Sequence, residues 1–221
     1  MTSISTTLEG AATVSSSAAG QQAQALPLPR DAVCLNTLLT LRDGVTVTAR
    51  AIRANDTERL HAFHSRLSLE TIYQRFFSLL RVLTPHMATS LTHVDYENRM
   101  ALVATTGTGD DEQIVAVASY DRAGPTIAEV AFVVEDSWQG RGIATELLYR
   151  LAAYARSRGI VELLALTLGE NLRMQKVLRQ SGFPVSASPS GDMIEVRLDI
   201  SQPPGPFPTR NSNRISDEVE R

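Results

Sequence analysis

Two periods of apolar and polar positions run through this chain. Val and Thr alternate over 45–52, and 100–105 and 114–120 are apolar runs of strand length. A run of β-branched and aromatic residues fills 130–134, and further runs lie at 161–167, 183–185 and 193–198. Each predicts a strand, the last two a half-exposed hairpin. Helical spacing alternates with these runs. Leu60, Phe63, His64 and Leu67 follow a candidate cap at Asn55-Asp56. Leu69, Ile72, Tyr73 and Phe76 follow Ser68, and Thr84-Pro85 marks a third start. Leu147, Leu148, Leu151, Ala152 and Ala155 form one apolar stripe. A last helix starts at Asn171, carries Met174, Val177 and Leu178, and ends at Gly182.

The periodic part spans 41–200. Before it, 1–36 is rich in Ser, Thr, Ala and Gln, with Glu9 the only charge ahead of Arg30; after it, 201–221 turns to Pro, Asn, Ser and charge. Both ends are expected to be disordered. The 221 residues, 43% hydrophobic and 20% charged, suit one domain with extensions, a mixed α/β fold. A net charge of −3 argues against a nucleic-acid partner. No apolar run reaches the length of a membrane span and no signal-peptide pattern opens the chain, so a cytoplasmic protein is expected. The single cysteine, Cys34, lies in the expected linker, and His61, His64, His86 and His93 show no ligand spacing, so no metal is expected.

The chemistry concentrates between the strand at 130–134 and the stripe at 147–155. Gln139-Gly140-Arg141-Gly142-Ile143-Ala144 makes a glycine-bearing turn from strand into helix. Such a turn aims unpaired N–H groups outward, the helix dipole adds positive charge, and a glycine lets an anion reach the backbone. It suits a phosphate or pyrophosphate. It lacks the G-x-G-x-x-G order and the Gly-Lys-Ser/Thr of a P-loop. Arg141 either touches the phosphate or is a solvated turn residue. Trp138 is expected to pack beneath the turn, with Glu135 and Asp136 exposed. Glu129 opens the central strand on the face of Ala131 and Val133. A carboxylate there is either a strand-end group facing water or a general base that deprotonates an amine.

Gln139, Gly142 and Ala144 occupy the fixed positions of Q/R-x-x-G-x-G/A, and the stretch resembles the GCN5-related N-acetyltransferases (GNAT). Asn171-x-x-Met174 and Gly182-Phe183 resemble that family's later acyl-CoA motif. Tyr73-Gln-Arg75-Phe76-Phe77, Asp95-Tyr96 and Met100-Ala-Leu-Val103 are similar to bacterial Pat-type protein-lysine acetyltransferases. The resemblance implies a six- to seven-stranded, mostly antiparallel sheet splayed between strands 4 and 5, with helices on both faces and acetyl-CoA in the split. It implies Glu129 as base, pantetheine along Phe132, Val133 and Val134, and coenzyme contacts from 139–144 and Asn171. It places Leu178 where many members carry a tyrosine acid, leaving Tyr73 and Tyr96 as candidates. Relatives are fused to acyl-CoA-synthetase-like or cyclic-nucleotide-binding domains. Neither fits in the remaining residues, so a stand-alone domain is expected, a monomer or homodimer, with an acyl-CoA synthetase as candidate partner. The acceptor is a protein lysine or a small amine; a non-catalytic acyl-CoA-binding module is the alternative.

Overall fold

The computed structural model describes residues 28, 29, 32 and 35–205; the expectations for Cys34, for most of 1–36 and for 206–221 lie outside them. Eight strands form one sheet: β1 (Thr37–Thr40), β2 (Thr46–Ala51), β3 (Arg99–Thr106), β4 (Gln113–Arg122), β5 (Ile127–Val134), β6 (Glu162–Leu168), β7 (Val185–Ser190) and β8 (Met193–Asp199). Their order is β1-β2-β3-β4-β5-β6-β8-β7, and only β5 and β6 pair in parallel. The helices are α1 (Thr57–Ser65), α2 (Leu69–Phe76), α3 (Pro85–Thr92), α4 (Ile143–Ser157) and α5 (Leu172–Arg179).

The sheet has one strand more than expected, because β1 precedes the predicted start at Leu41. Its four residues, with Leu38 70% exposed and only Leu39 buried, are too few to show a period. Pairing with β2, from Thr37↔Ala49 to Thr40↔Thr46, holds them extended. Ala32 is also buried. At the other end, the Gly205 N–H donates to Gly182 O at 2.8 Å, so the packed chain runs past Ile200. Phe183 is a buried core residue ahead of β7, not part of a strand.

Local chemistry explains the helices. Ser68 and Thr84 accept from the Thr71 and Met87 N–H groups at the starts of α2 and α3, and Pro85 takes the first helical position. Asp56 does not cap α1 with its side chain. Its carboxylate is fully buried and accepts a bidentate pair from Arg50 at 2.6 and 2.8 Å, plus the Arg53 N–H at 2.9 Å. A buried guanidinium and carboxylate need each other more than the helix needs a cap. The predicted stripe of α4 is fully buried. It packs against β3 and β4 within the crossover that two parallel strands require. On the opposite face, α1 and α2 cover Val117 and Ser119 of β4 and Ala131 and Val133 of β5.

Candidate active site

β5 and β6 run together for only three pairs, Ile127↔Glu162, Ala128↔Leu163 and Glu129↔Leu164. Beyond Glu129, β5 keeps only β4, through Ala116↔Val134, and β6 keeps only β8, through Leu168↔Met193. The edge of β5 across Val130, Ala131, Phe132, Val133 and Val134 therefore faces a wedge. An unpaired strand edge can take main-chain hydrogen bonds from a ligand laid along it. Glu129 sits at the vertex, on the face of Ala131 and Val133.

The turn closes the wide end. Gly140 and Gly142 have φ of 77° and 97°, a region L side chains rarely adopt. Gly142 is the N-cap of α4 and offers no side-chain cap, so the first N–H groups of a 15-residue helix have no side-chain acceptor. A β-carbon built on Gly140 would have nothing within 4 Å, so open space lies over the backbone there. These features fit a phosphate at residues 140–144.

Around the turn the side chains of 138–141 serve the protein. The Gln139 amide donates to Val134 O at 3.1 Å and Thr71 Oγ1 at 3.2 Å, and its oxygen accepts from Arg173 at 2.6 Å. It ties the turn to α2, β5 and α5. Arg141 pairs with Asp43 at 3.1 Å, donates to Ser137 O at 2.9 Å and lies over the Trp138 ring at 4.8 Å. Trp138 packs against the core as expected. Asp136 is exposed, but Glu135 is half-buried rather than exposed and pairs with Arg66 at 3.0 Å. Asn171 caps α5, its oxygen accepting from Met174 N–H at 3.0 Å.

Glu129 is half-buried and stands directly opposite Asp121 of β4, a pairing the sequence reading missed. Asp121 in turn accepts from Arg99 at 2.8 Å. Cross-strand partners on one face hold their β-carbons about 4.5–5.5 Å apart, so two carboxylates share the vertex. The turn at Gly124-Pro125 was legible, and counting back across it from Glu129 is the signal that would have found Asp121.

Beside this row lies a mostly apolar cavity of about 40 Å³, lined among others by Ala131, Val133, Ser119, Phe76, His64 and Arg75. Burial pulls the His64 pKa below its ordinary value, with His61 acting in the same sense against a bond to the Leu80 backbone. Its Nε2 is buried without a hydrogen-bond partner among the described residues. Burial also lowers the Arg75 pKa, opposed by the charge of Asp121.

Four other residues that the sequence singles out lie elsewhere. The Tyr96 hydroxyl is buried and donates to Ile52 O at 2.9 Å, and burial raises its pKa. Burial would raise the Asp95 pKa too, but bonds from Arg99, Glu97 and Asn98 outweigh it and hold the carboxyl low. Asp95 thus caps the turn before β3. Leu178 is fully buried, and Tyr73 lies half-exposed on α2. Among the described residues no cluster of His, Cys, Asp and Glu could hold a metal ion, and no helix is long and apolar enough to cross a membrane.

Comparison with known proteins gives a consistent result. The pattern of the Acetyltransferase (GNAT) family matches residues 67–183. Acetyltransferase Pat of Mycolicibacterium smegmatis is 31% identical over 186 residues, 82% of this chain and 54% of that protein. The chain thus spans about half the length of that relative. An acetyltransferase of Pseudomonas aeruginosa is 28% identical over 145 residues, 65% of this chain and 78% of that protein. The crystal structure of the GNAT domain of S. lividans PAT superposes with a TM-score of 0.71 at 35% identity, covering 78% of this chain and 99% of that one.

Proposed function

The chain belongs to the acetyltransferase (GNAT) family of acetyl-CoA-dependent N-acetyltransferases, and we propose that it acetylates protein lysines with Glu129 as general base. The observation that carries this reading is the place of Glu129, at the last pair between β5 and β6, where the wedge opens. A thioester reaching down the wedge from a phosphate at 140–144 would end beside that carboxylate. Acetyl-CoA supplies the activated carbonyl. The chain supplies the rest.

A lysine side chain arrives as ammonium, its pKa being about 10.4. It must lose a proton before its nitrogen can attack. Glu129 takes that proton, directly or through a water. Asp121, opposite it and paired with Arg99, offsets that arginine and so leaves the charge of Glu129 to draw the cation toward the vertex. The edge of β5 across Phe132, Val133 and Val134 pairs with pantetheine, and the N–H groups at 140–144 hold pyrophosphate. Gln139 positions that turn, Arg141 braces it, and Asn171 fixes the start of α5 beside it. A protein substrate is favoured by the likeness of Tyr73-Gln-Arg75-Phe76-Phe77 and Asp95-Tyr96 to Pat-type lysine acetyltransferases.

The test is incubation with labelled acetyl-CoA and a cell lysate, with mass spectrometry of the labelled species and assay of free CoA. Label on protein lysines with CoA release is expected. Label confined to small amines would replace the lysine reading, and binding without CoA release under all conditions would make the protein a sensor.

A further inference from the structure

The turn is braced by a hairpin that precedes residues 67–183, the stretch that the family pattern matches. The β1–β2 turn, closed by Leu41 N–H to Val45 O at 2.8 Å, docks on it through Arg42 N–H to Arg141 O at 3.3 Å. Asp43 adds the ion pair to Arg141 at 3.1 Å. The Arg42 side chain then lies along Gly142. A β-carbon on Gly142 would meet its Nε at 3.3 Å, Cγ at 3.7 Å and Cδ at 3.8 Å.

Two arginines thus flank the N-terminus of α4, and they differ in what they are free to do. Arg141 is occupied by Asp43, Ser137 O and the Trp138 ring. The Arg42 guanidinium is exposed and has no hydrogen bond, carboxylate or ring partner among the described residues. Asp43, the nearest acid in sequence, is neutralised by Arg141. We propose that Arg42 is a phosphate ligand for the coenzyme, a role the motif alone would give to Arg141. A guanidinium is suited to this, since its planar fork matches phosphate oxygens and stays charged at any working pH. The backbone N–H groups of the turn and one exposed cation from the hairpin would grip the anion from two sides. The inference rests on the acetyl-CoA reading of the same turn.

CoA offers two phosphate sites at this end, the pyrophosphate and the 3′-phosphate, and calorimetry on the full chain with acetyl-CoA, CoA and 3′-dephospho-CoA separates them. Arg42→Ala should weaken acetyl-CoA binding about tenfold, the scale of one charge-assisted hydrogen bond, with an unchanged melting temperature. Arg42→Glu should weaken it further and Arg42→Lys less. A loss absent with 3′-dephospho-CoA assigns the 3′-phosphate; an equal loss with both assigns the pyrophosphate. Wild-type affinity in Arg42→Ala and Arg42→Glu overturns the Arg42 assignment and leaves the family site intact. A wild-type chain that does not bind acetyl-CoA overturns the site reading and this proposal with it.

Discussion

Glu129 and Leu164 are the last residues paired between β5 and β6, and every feature of the candidate site is arranged around that point. Below them the two strands are bonded; above them each turns to its outer neighbour. A residue at such a vertex stands where the bonded ladder ends and the wedge begins, so the strand pairing fixes its backbone at the point that the proposed base has to occupy.

The turn at the wide end makes the first prediction. Gly142 has φ of 97°, where a side chain costs roughly 1–2 kcal/mol, and its α-carbon faces the Arg42 side chain. Gly142→Ala should lower stability by about that amount and weaken acetyl-CoA binding. Gly142→Glu should abolish binding, because it sets a carboxylate at the proposed phosphate site. Calorimetry and thermal melts check both; near-wild-type affinity in Gly142→Glu removes the phosphate from this turn.

Asp121 makes the second. Its side chain is about half exposed, so water screens it, and a unit charge about 5 Å away is then worth roughly 0.8 kcal/mol. Asp121→Asn should raise KM for a cationic amine about fourfold and flatten its salt dependence, with kcat changed less. An unchanged KM at low salt would show that the acceptor does not pass Asp121.

The strands and helices were legible because their burial repeats at 2 or 3.6 residues, as the fully buried stripe of α4 shows. The turn at Gly140–Gly142 was legible because glycines stand where the chain needs positive φ. Asp121 was legible only by counting back across the Gly124-Pro125 turn, and Arg42 not at all, for a common reason. Each reaches the site by pairing or docking across the sheet, Asp121 through the β4–β5 register and Arg42 through a hairpin 100 positions from Gly142. Neither relation leaves a local period. β1 was missed because its state is imposed by β2; Asp56 does stand at the cap position of α1, but its carboxylate turns to the Arg53 N–H and to Arg50, six positions back, rather than to the helix.

These boundaries can be tested. A chain beginning at Thr37 and ending at Gly205 keeps the whole sheet and the Gly205–Gly182 bond. One trimmed to 41–200 loses β1 with its buried Leu39, and that bond. We expect the longer piece to melt cooperatively and the shorter one several degrees lower. Equal melting temperatures would place β1 outside the stabilising core.

Asp136 joins the turn to α2. It accepts from the Ser68 N–H at 3.0 Å, the Ser68 hydroxyl at 2.7 Å and the Thr71 hydroxyl at 2.8 Å. Burial would raise its pKa, but these bonds outweigh burial and hold it below the ordinary value. A carboxyl depressed in the folded state contributes stability above its unfolded pKa, about 3.9, and that contribution fades as pH falls through the lower folded value. Asp136 is exposed, so water screens these bonds, and Asp136→Asn should cost at most about 1 kcal/mol at neutral pH, a fall in Tm of no more than about 2–4 °C. The gap between variant and wild type should close below about pH 4. A gap that persists in acid would mean that shape, not charge, holds the loop.

The last prediction bears on the vertex. Glu129→Gln keeps the size and hydrogen-bonding reach of the side chain and removes its basicity. The wedge edge and the turn are untouched, so acetyl-CoA affinity should stay near wild type. Turnover on a confirmed lysine substrate should fall by about 10²–10⁴-fold, the usual contribution of a general base. Raising the pH should partly rescue the variant, because more of the amine is already neutral and needs no proton acceptor. That rescue separates lost basicity from lost geometry, since a misplaced acceptor would gain no more than wild type does from a higher pH. Asp121→Asn supplies the control, because it removes a charge from the same row without removing the base; its kcat should stay within a few-fold of wild type. If Glu129→Gln turns over at neutral pH within a few-fold of wild type, the proton leaves by another route. The polar groups left around the cavity beside Ala131, His64 and Ser119 among them, become the next to substitute.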